Sequence, residues 1–223
     1  MLLFQAGAGL AVLVAAMAAA LFLPAGTLEY REAWVYLAVF IGCIVAITID
    51  LARRDPALLA RRVKGGPTAE PGIGQKIIQS LAGLSFLAIF VISALDHRYG
   101  WSRVPGELAI AMNALVVIGL GIVFFVFRAN TYTSAVVEVE AAQQVVSTGP
   151  YAVVRHPMYS GAIVMLAGTP PALGSWWGLA PVALLVAVIV WRLRAEEELL
   201  VTELAGYDEY CRRVKRRLVP FLW

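Results

Sequence analysis

Long apolar runs alternate with short polar segments along the chain. Four runs are clear, at residues 2–23, 34–51, 77–95 and 108–127. Since a helix needs about 20 mostly apolar residues to cross a hydrocarbon core about 30 Å thick, each run predicts a membrane-spanning helix. The first run has no positively charged start and is longer than the core of a signal peptide, so we expect it to be a retained helix.

A fifth apolar region, 158–191, is too long for one crossing. It is interrupted by Thr169-Pro170-Pro171 and by Gly174-Ser175. Because proline removes a backbone donor and clashes with the preceding turn, the pattern predicts two short helices joined by a tight hairpin. The expected fold is therefore an all-α polytopic integral membrane protein with five to six transmembrane helices.

Composition supports a membrane protein. Of the 223 residues, 61% are hydrophobic and only 15% are charged, with a mean hydropathy of +0.78. These values exclude a soluble globular domain and a disordered chain. Cys43 lies in an apolar run and Cys211 in a basic tail, so we expect no disulfide between them.

The positive charges indicate an orientation. A six-span arrangement with both termini inside places fifteen of the eighteen Lys and Arg residues on one face and leaves only Arg31, Arg98 and Arg103 on the other. The positive-inside rule then predicts cytoplasmic N- and C-termini, and we expect the inner membrane of a bacterium. The side of the protein with these fifteen residues would meet anionic membrane lipids rather than nucleic acid.

Two regions follow from this arrangement. Residues 1–128 are expected to hold about four transmembrane helices and a cytoplasmic loop, 53–76, that is flexible over 61–74. Residues 129–223 are expected to hold the chemistry, with a cofactor-binding segment, the broken hairpin and a cytoplasmic C-terminal helix. The alternation of apolar and acidic residues at 136–140 predicts extended structure on the membrane face.

Several polar residues of the second region are candidates for a site. Gly149-Pro150 is a turn signal, and Pro157 suits the first turn of a helix. His156 would then lie beside a helix N-terminus, where free N–H groups favour an anion. Asn130 suits either a ligand contact or a loop cap.

The run Glu196-Glu197-Glu198 is a candidate site for an ammonium group. Adjacent carboxylates repel one another unless a cation compensates them. On a helix, at most two of the three can face one pocket. The alternative is a solvated face paired with Arg192 and Arg194. Two distant histidines without clustered cysteines predict no metal site.

Four of these elements occur in the order and at the spacing of a known family. They are Gly149-Pro150-Tyr151, the run from Arg155-His156-Pro157 to Tyr159 and Gly161, the glutamate cluster, and Tyr207 and Tyr210 followed by Arg217-Leu218-Val219-Pro220. Together they resemble the C-terminal signature of the isoprenylcysteine carboxyl methyltransferase family. The related phospholipid N-methyltransferases share the Arg-His-Pro element and paired glutamates. The resemblance covers about residues 130–221.

The resemblance implies S-adenosyl-L-methionine as methyl donor, S-adenosyl-L-homocysteine as product, and a lipophilic substrate that enters from the bilayer above a cytoplasmic cofactor pocket. Arg155, Glu197 and Asn130 are the implied catalytic residues. Glu196 or Glu197 would bind the amino group of the donor, and Arg155 would orient an acidic substrate. The implied cofactor-binding residues are Tyr151, His156, Pro157, Tyr159, Gly161, Glu196, Glu197, Tyr207 and Tyr210.

The possible reactions require different chemistry from the site. A carboxylate acceptor is already ionised at neutral pH and needs alignment rather than a general base. An amine acceptor, as in a phospholipid N-methyltransferase, must first lose a proton. An NADPH-dependent sterol-type reductase would need basic contacts to a phosphate, which the residues of 212–217 could offer. The four tyrosines could also be interfacial aromatic residues.

Overall fold

The computed structural model describes residues 2–63, 72–133, 143–220 and 222–223. Over these residues every regular element is helical. The helices are α1 (Leu2–Ala25), α2 (Arg31–Arg54), α3 (Pro56–Val63), α4 (Ile73–Tyr99), α5 (Gly106–Ala129), α6 (Pro157–Ala172), α7 (Leu179–Glu203) and α8 (Tyr207–Arg213), with a one-turn 3-10 helix at Gly149–Ala152.

The expected all-α polytopic fold is confirmed. Within the described residues, α1, α2, α4 and α5 are long and apolar enough to cross a membrane. Their many exposed apolar side chains, such as Phe4 at 80% and Leu84 at 64%, suit a hydrocarbon surrounding. Helix α6 has 16 residues and is about 24 Å long at 1.5 Å per residue, shorter than a full crossing.

Helices α6 and α7 form the expected hairpin, but α7 is not short. It runs for 25 residues, well past the apolar region that ends at Trp191. Its second half, which contains the glutamate cluster, has good helix formers and no proline, so nothing stops the helix. The glutamates therefore stand on a rigid helix that continues beyond its apolar part.

Two sets of polar contacts mark opposite ends of the bundle. At one end, the buried carboxylate of Asp96 on α4 accepts hydrogen bonds from the hydroxyls of Ser102 and Ser175 at 2.5 Å each. These contacts tie α4 and the following loop to the α6–α7 turn. At the other end, Arg128 of α5 pairs with Asp50 of α2 at 3.6 Å. The glutamates and the N-terminus of α6 lie at this second end, which we call the inner end.

Part of the expected loop 53–76 is helical. Helix α2 reaches Arg54 and α3 occupies Pro56–Val63, with Leu58 and Leu59 buried. Helix α3 forms because Asp55 accepts the N–H of Leu58 at 2.9 Å and Pro56 fits a first turn. Residues 64–71 of the expected flexible loop, and the expected extended segment 136–140, lie outside the described residues.

Helices α5 and α6 approach each other closely at glycines. A Cβ built on Gly119 would lie 2.5 Å from the carbonyl oxygen of Gly161, and one on Gly161 would lie 2.7 Å from that of Gly119. Gly168 meets α5 in the same way, with a Cβ 2.8 Å from the Met112 oxygen. Small residues at a crossing let two backbones touch, which is how membrane helices gain packing energy.

Candidate active site

A cleft that is open at its mouth lies at the inner end of the bundle. Its apolar wall includes Leu199, Leu200 and Leu204. Its polar lining consists of Asn130, Tyr132, Thr133, Gln143, Gln144, Tyr151, Arg155, His156, Tyr159, Arg192, Glu196, Tyr207 and Tyr210.

The N-terminus of α6 borders this cleft. His156 is the N-cap residue and Pro157 begins the helix, as expected from the sequence. Pro157, Met158 and Tyr159 all line the cleft. Because the first N–H groups of a helix have no partner within it, the amides of Met158 and Tyr159 are available for an anionic group.

A buried carboxylate stands beside this N-terminus. Glu197 is 8% exposed. Its Oε1 lies 2.7 Å from Nε of Arg155 and 3.2 Å from Nε2 of His156. Its Oε2 accepts a hydrogen bond from Nε of Arg217 at 2.7 Å. Glu197 is therefore the centre of a compact group of three nitrogen-bearing side chains.

The pKa of Glu197 follows from these contacts. Burial favours the neutral acid, but the hydrogen bonds from His156 and Arg217 and the charge of Arg155 outweigh it, and together they lower the pKa of this carboxyl to about 2. Glu197 is therefore ionised at neutral pH.

The chain after α8 packs along the residues before α6. We call residues 214–218 the C-terminal segment. The N–H of Arg155 donates to the carbonyl of Arg216 at 2.8 Å, and that of His156 to the carbonyl of Arg217 at 2.9 Å. The hydroxyl of Ser160 donates to the carbonyl of Leu218 at 2.6 Å. This segment thus fixes the backbone of the Arg-His-Pro element.

Glu196 faces the cleft, in a different direction from Glu197. Its carboxylate accepts a hydrogen bond from the hydroxyl of Tyr159 at 2.7 Å. Nε of Arg192 donates to the same hydroxyl at 3.1 Å, and Nη1 of Arg192 donates to Gln79 on α4 at 3.0 Å. One side of the cleft thus presents a carboxylate and a guanidinium that share one phenol. Glu198 is exposed.

Tyrosines and Asn130 form the opposite part of the lining. Nδ2 of Asn130 donates to the hydroxyl of Tyr151 at 3.1 Å, and the hydroxyl of Tyr210 donates to the carbonyl of Tyr151 at 2.8 Å. Burial raises the pKa of Tyr151 to about 12, so its phenol keeps its proton at neutral pH. Because that phenol accepts from Asn130, its own proton is available to a ligand.

Tyr207 is 4% exposed, and among the described residues its hydroxyl has no hydrogen-bond partner. A buried hydroxyl without a partner costs free energy unless a ligand or water satisfies it.

The structure brings most of the expected site residues to one cleft, with two exceptions. Gly161 lies at the crossing of α5 and α6, where its lack of a side chain allows the two backbones to touch, and it does not line the cleft. Glu197 also does not line the cleft, because Arg155, His156 and Arg217 surround its carboxylate. Asn130 is the C-cap residue of α5 and also lines the cleft, and its contact with a ligand stays a prediction.

Sequence reasoning missed two side chains of this site. Arg217 was expected only within a terminal motif, yet it contacts Glu197 directly. Arg192 was expected only as an ion-pair partner on the surface of α7, yet it lines the cleft. Arg192 lies four residues before Glu196, so helical spacing was the available signal for its place on the same face.

Metal chemistry has no support among the described residues. No group of three or more His, Cys, Asp or Glu side chains in this part of the chain could bind a metal ion.

Most of the region that lines the cleft is similar to a known protein family. A search of curated proteins found no match. Residues 108–205 match the family model of phospholipid methyltransferases, a range that includes α5, the segment before α6, the hairpin and the glutamates. The resemblance seen in the sequence is thereby confirmed, and this match supports a membrane methyltransferase of the phospholipid and isoprenylcysteine methyltransferase type. Over residues 108–205, a little under half of its length, the chain is similar to the phospholipid methyltransferase family.

Proposed function

We propose that this protein transfers a methyl group from S-adenosyl-L-methionine to the carboxylate of an isoprenylcysteine-like lipophilic acceptor. The observation that carries the proposal is the composition of one cleft. A carboxylate, the free amides of a helix N-terminus, several tyrosines and an apolar wall meet there at the inner end of a membrane bundle.

The residues present fit the donor. The carboxylate of Glu196 suits an ammonium group, and the first-turn amides of α6 suit a carboxylate. The buried hydroxyl of Tyr207 and the phenol of Tyr151 can donate hydrogen bonds to a nucleoside. Aromatic faces also attract a sulfonium cation. When bound, S-adenosyl-L-methionine supplies an electrophilic methyl group.

Glu197 has a different role in this proposal. Because its carboxylate is paired with Arg155 and Arg217, we assign it to positioning rather than to the amino group of the donor. It fixes Arg155 and His156 at the edge of the cleft. Of the alternatives open for the glutamates, Glu196 is the one in the cleft.

Two guanidinium groups can orient an acidic acceptor at this cleft. Both line it: Arg155 pairs with Glu197, and Arg192 donates a hydrogen bond to the phenol of Tyr159. A carboxylate acceptor arrives ionised, so these residues need only align it and exclude water. Leu199, Leu200 and Leu204 offer an apolar surface to the lipophilic part of the acceptor.

The test is transfer of labelled methyl from S-adenosyl-L-methionine to a farnesylated cysteine analogue by the detergent-purified protein. Base treatment of the product should release labelled methanol, because a carboxyl methyl ester is base-labile. Binding of S-adenosyl-L-homocysteine without transfer would leave the donor site in place and exclude this acceptor.

A second acceptor has specific support. The matched family model is that of phospholipid methyltransferases, and Glu196 could accept the proton that an amine must lose before attack. Phosphatidylethanolamine is therefore the second substrate to test. The N–methyl bond of its product resists base, so base treatment releases no labelled methanol and the same assay distinguishes the two reactions.

A further inference from the structure

The C-terminal segment and the last turn of α8 have a strongly basic outer face. Arg212, Arg213, Lys215 and Arg216 are all exposed. Within the described ranges, none of these four side chains forms an ion pair. Asp208 and Glu209 in the first turn of α8 offset part of their charge, which leaves an excess of two positive charges (four minus two). Four like charges so close together repel one another unless an anionic surface lies near them.

The opposite side of the same segment is joined to the site. The carbonyls of Arg216 and Arg217 accept the N–H groups of Arg155 and His156, and Arg217 pairs with Glu197. Leu218 is buried. The segment therefore connects the basic face to the Arg-His-Pro element. An interaction that holds the basic face in place would also hold the backbone of that element in place.

The segment also lies at the depth of the membrane surface. Its Leu218 carbonyl bonds Ser160 in the first turn of α6, where the apolar part of that helix begins. Val219 and Leu222 next to it are exposed, at 46% and 81%. Basic side chains beside exposed apolar ones are typical of segments that lie in the headgroup layer.

We propose that this basic face, formed by Arg212, Arg213, Lys215 and Arg216, binds the anionic lipid headgroups of the membrane and thereby keeps the C-terminal segment bonded to Arg155 and His156. The headgroups supply countercharge for the positive excess that Asp208 and Glu209 do not offset. The occupant is a lipid surface rather than a soluble phosphate compound, because Val219 and Leu222 require an apolar layer beside the charges. This surface is separate from the cleft, and the proposal stands whichever acceptor is methylated.

Hydrogen exchange of the protein in nanodiscs tests this proposal. The amides of Arg155 and His156 report on the segment, since their acceptors are its carbonyls. We expect slower exchange in nanodiscs of equal parts phosphatidylcholine and phosphatidylglycerol than in phosphatidylcholine alone. Each cation near an anionic surface is worth roughly a fivefold change in the population of the released segment.

Two sets of variants locate the effect. The combination of Arg212→Gln, Arg213→Gln, Lys215→Gln and Arg216→Gln should exchange at the same rate in both lipids. The control combines Arg53→Gln and Arg194→Gln, which remove exposed cations from the inner end outside the segment, and it should keep the lipid effect. Loss of the lipid effect in the control would overturn the assignment to the segment.

Two further measurements use the unaltered protein, so the test does not depend on the folding of a variant. Added salt should speed exchange in the phosphatidylglycerol nanodiscs and leave the phosphatidylcholine nanodiscs unchanged, because salt screens surface charges. Inorganic phosphate in the phosphatidylcholine nanodiscs should not slow exchange. Equal rates in the two lipids, or slowing by phosphate alone, would overturn the proposal.

Discussion

The two glutamates at the centre of the site differ in environment although they are adjacent in sequence. Glu196 faces the cleft and accepts a hydrogen bond from the phenol of Tyr159, whereas Glu197 is buried and pairs with Arg155 and Arg217. Consecutive residues on a helix point about 100° apart, so one of the two can meet a ligand while the other meets the protein. Mutation should therefore separate a binding role from a positioning role.

Glu196→Gln should weaken binding of S-adenosyl-L-homocysteine with little change in thermal stability. The variant loses a charge-assisted hydrogen bond worth about 1.5–3 kcal/mol, which corresponds to roughly a 10- to 100-fold higher Kd. Titration calorimetry on the purified protein measures this change. Glu198→Gln, an exposed neighbour on the same helix, is the matched control and should bind normally. Unchanged affinity in Glu196→Gln would remove Glu196 from the donor site.

Glu197→Gln should mainly destabilise the protein. The substitution leaves Arg155 and Arg217 without their shared countercharge, and breaking a buried ion pair costs about 3–5 kcal/mol. Thermal unfolding should show a lower Tm, and hydrogen exchange should quicken at the amides of Arg155 and His156. A variant with normal Tm and normal exchange that fails only to bind the donor would contradict the positioning role.

Acid should break the contacts of Glu197 with Arg155 and Arg217, because it protonates the carboxylate. The pKa of Glu197 in the folded protein, about 2, is below its ordinary value of 4.5, so its ionisation stabilises the fold at neutral pH. That stabilisation is complete above about pH 4.5 and is lost as the pH falls toward 2. Tm measured over this range should fall less steeply in Glu197→Gln than in the unaltered protein. Equal slopes would show that Glu197 does not contribute to the acid sensitivity.

At the scale of helices, the apolar pattern of the sequence was sufficient for α1, α2, α4 and α5, because each has a long run that ends at charged residues or, for α1, at Pro24. It also located the α6–α7 turn at Gly174-Ser175, whereas α6 continues through Pro170 and Pro171 to Ala172. It could not show that Gly161 meets Gly119, because a small residue suits a pocket and a helix crossing equally well. Nor could it show which way Glu197 points, since that depends on how α7 is rotated against its neighbours.

The contact of α5 with α6 carries a prediction of its own. Gly119→Ala should destabilise the protein by about 1–3 kcal/mol or more, because the new Cβ would lie 2.5 Å from the backbone of α6. Gly121→Ala is the matched control. It lies on the same helix with nothing within 4 Å of a Cβ, so it should be neutral or slightly stabilising. Thermal unfolding in detergent compares the two, and equal Tm values would contradict the close crossing.

For the whole molecule, the two polar ends of the bundle determine how the site meets the membrane. The end with Asp96, Ser102 and Ser175 has few basic residues, whereas the end with the cleft has most of them. By the positive-inside rule the cleft and both termini should face the cytoplasm. This orientation would bring the basic face of the C-terminal segment to the cytoplasmic leaflet, where anionic lipids attract juxtamembrane cations.

Cysteine labelling tests this orientation directly. In a background with Cys43→Ser and Cys211→Ser, the variants Arg103→Cys and Glu198→Cys place one exposed thiol at each end of the bundle. In intact bacterial cells, a membrane-impermeant maleimide should label Arg103→Cys and leave Glu198→Cys unlabelled until the cells are lysed. The reverse result would place the cleft outside the cell. Because S-adenosyl-L-methionine is supplied from the cytoplasm, that result would remove the donor from reach of Glu196 and contradict the proposed reaction.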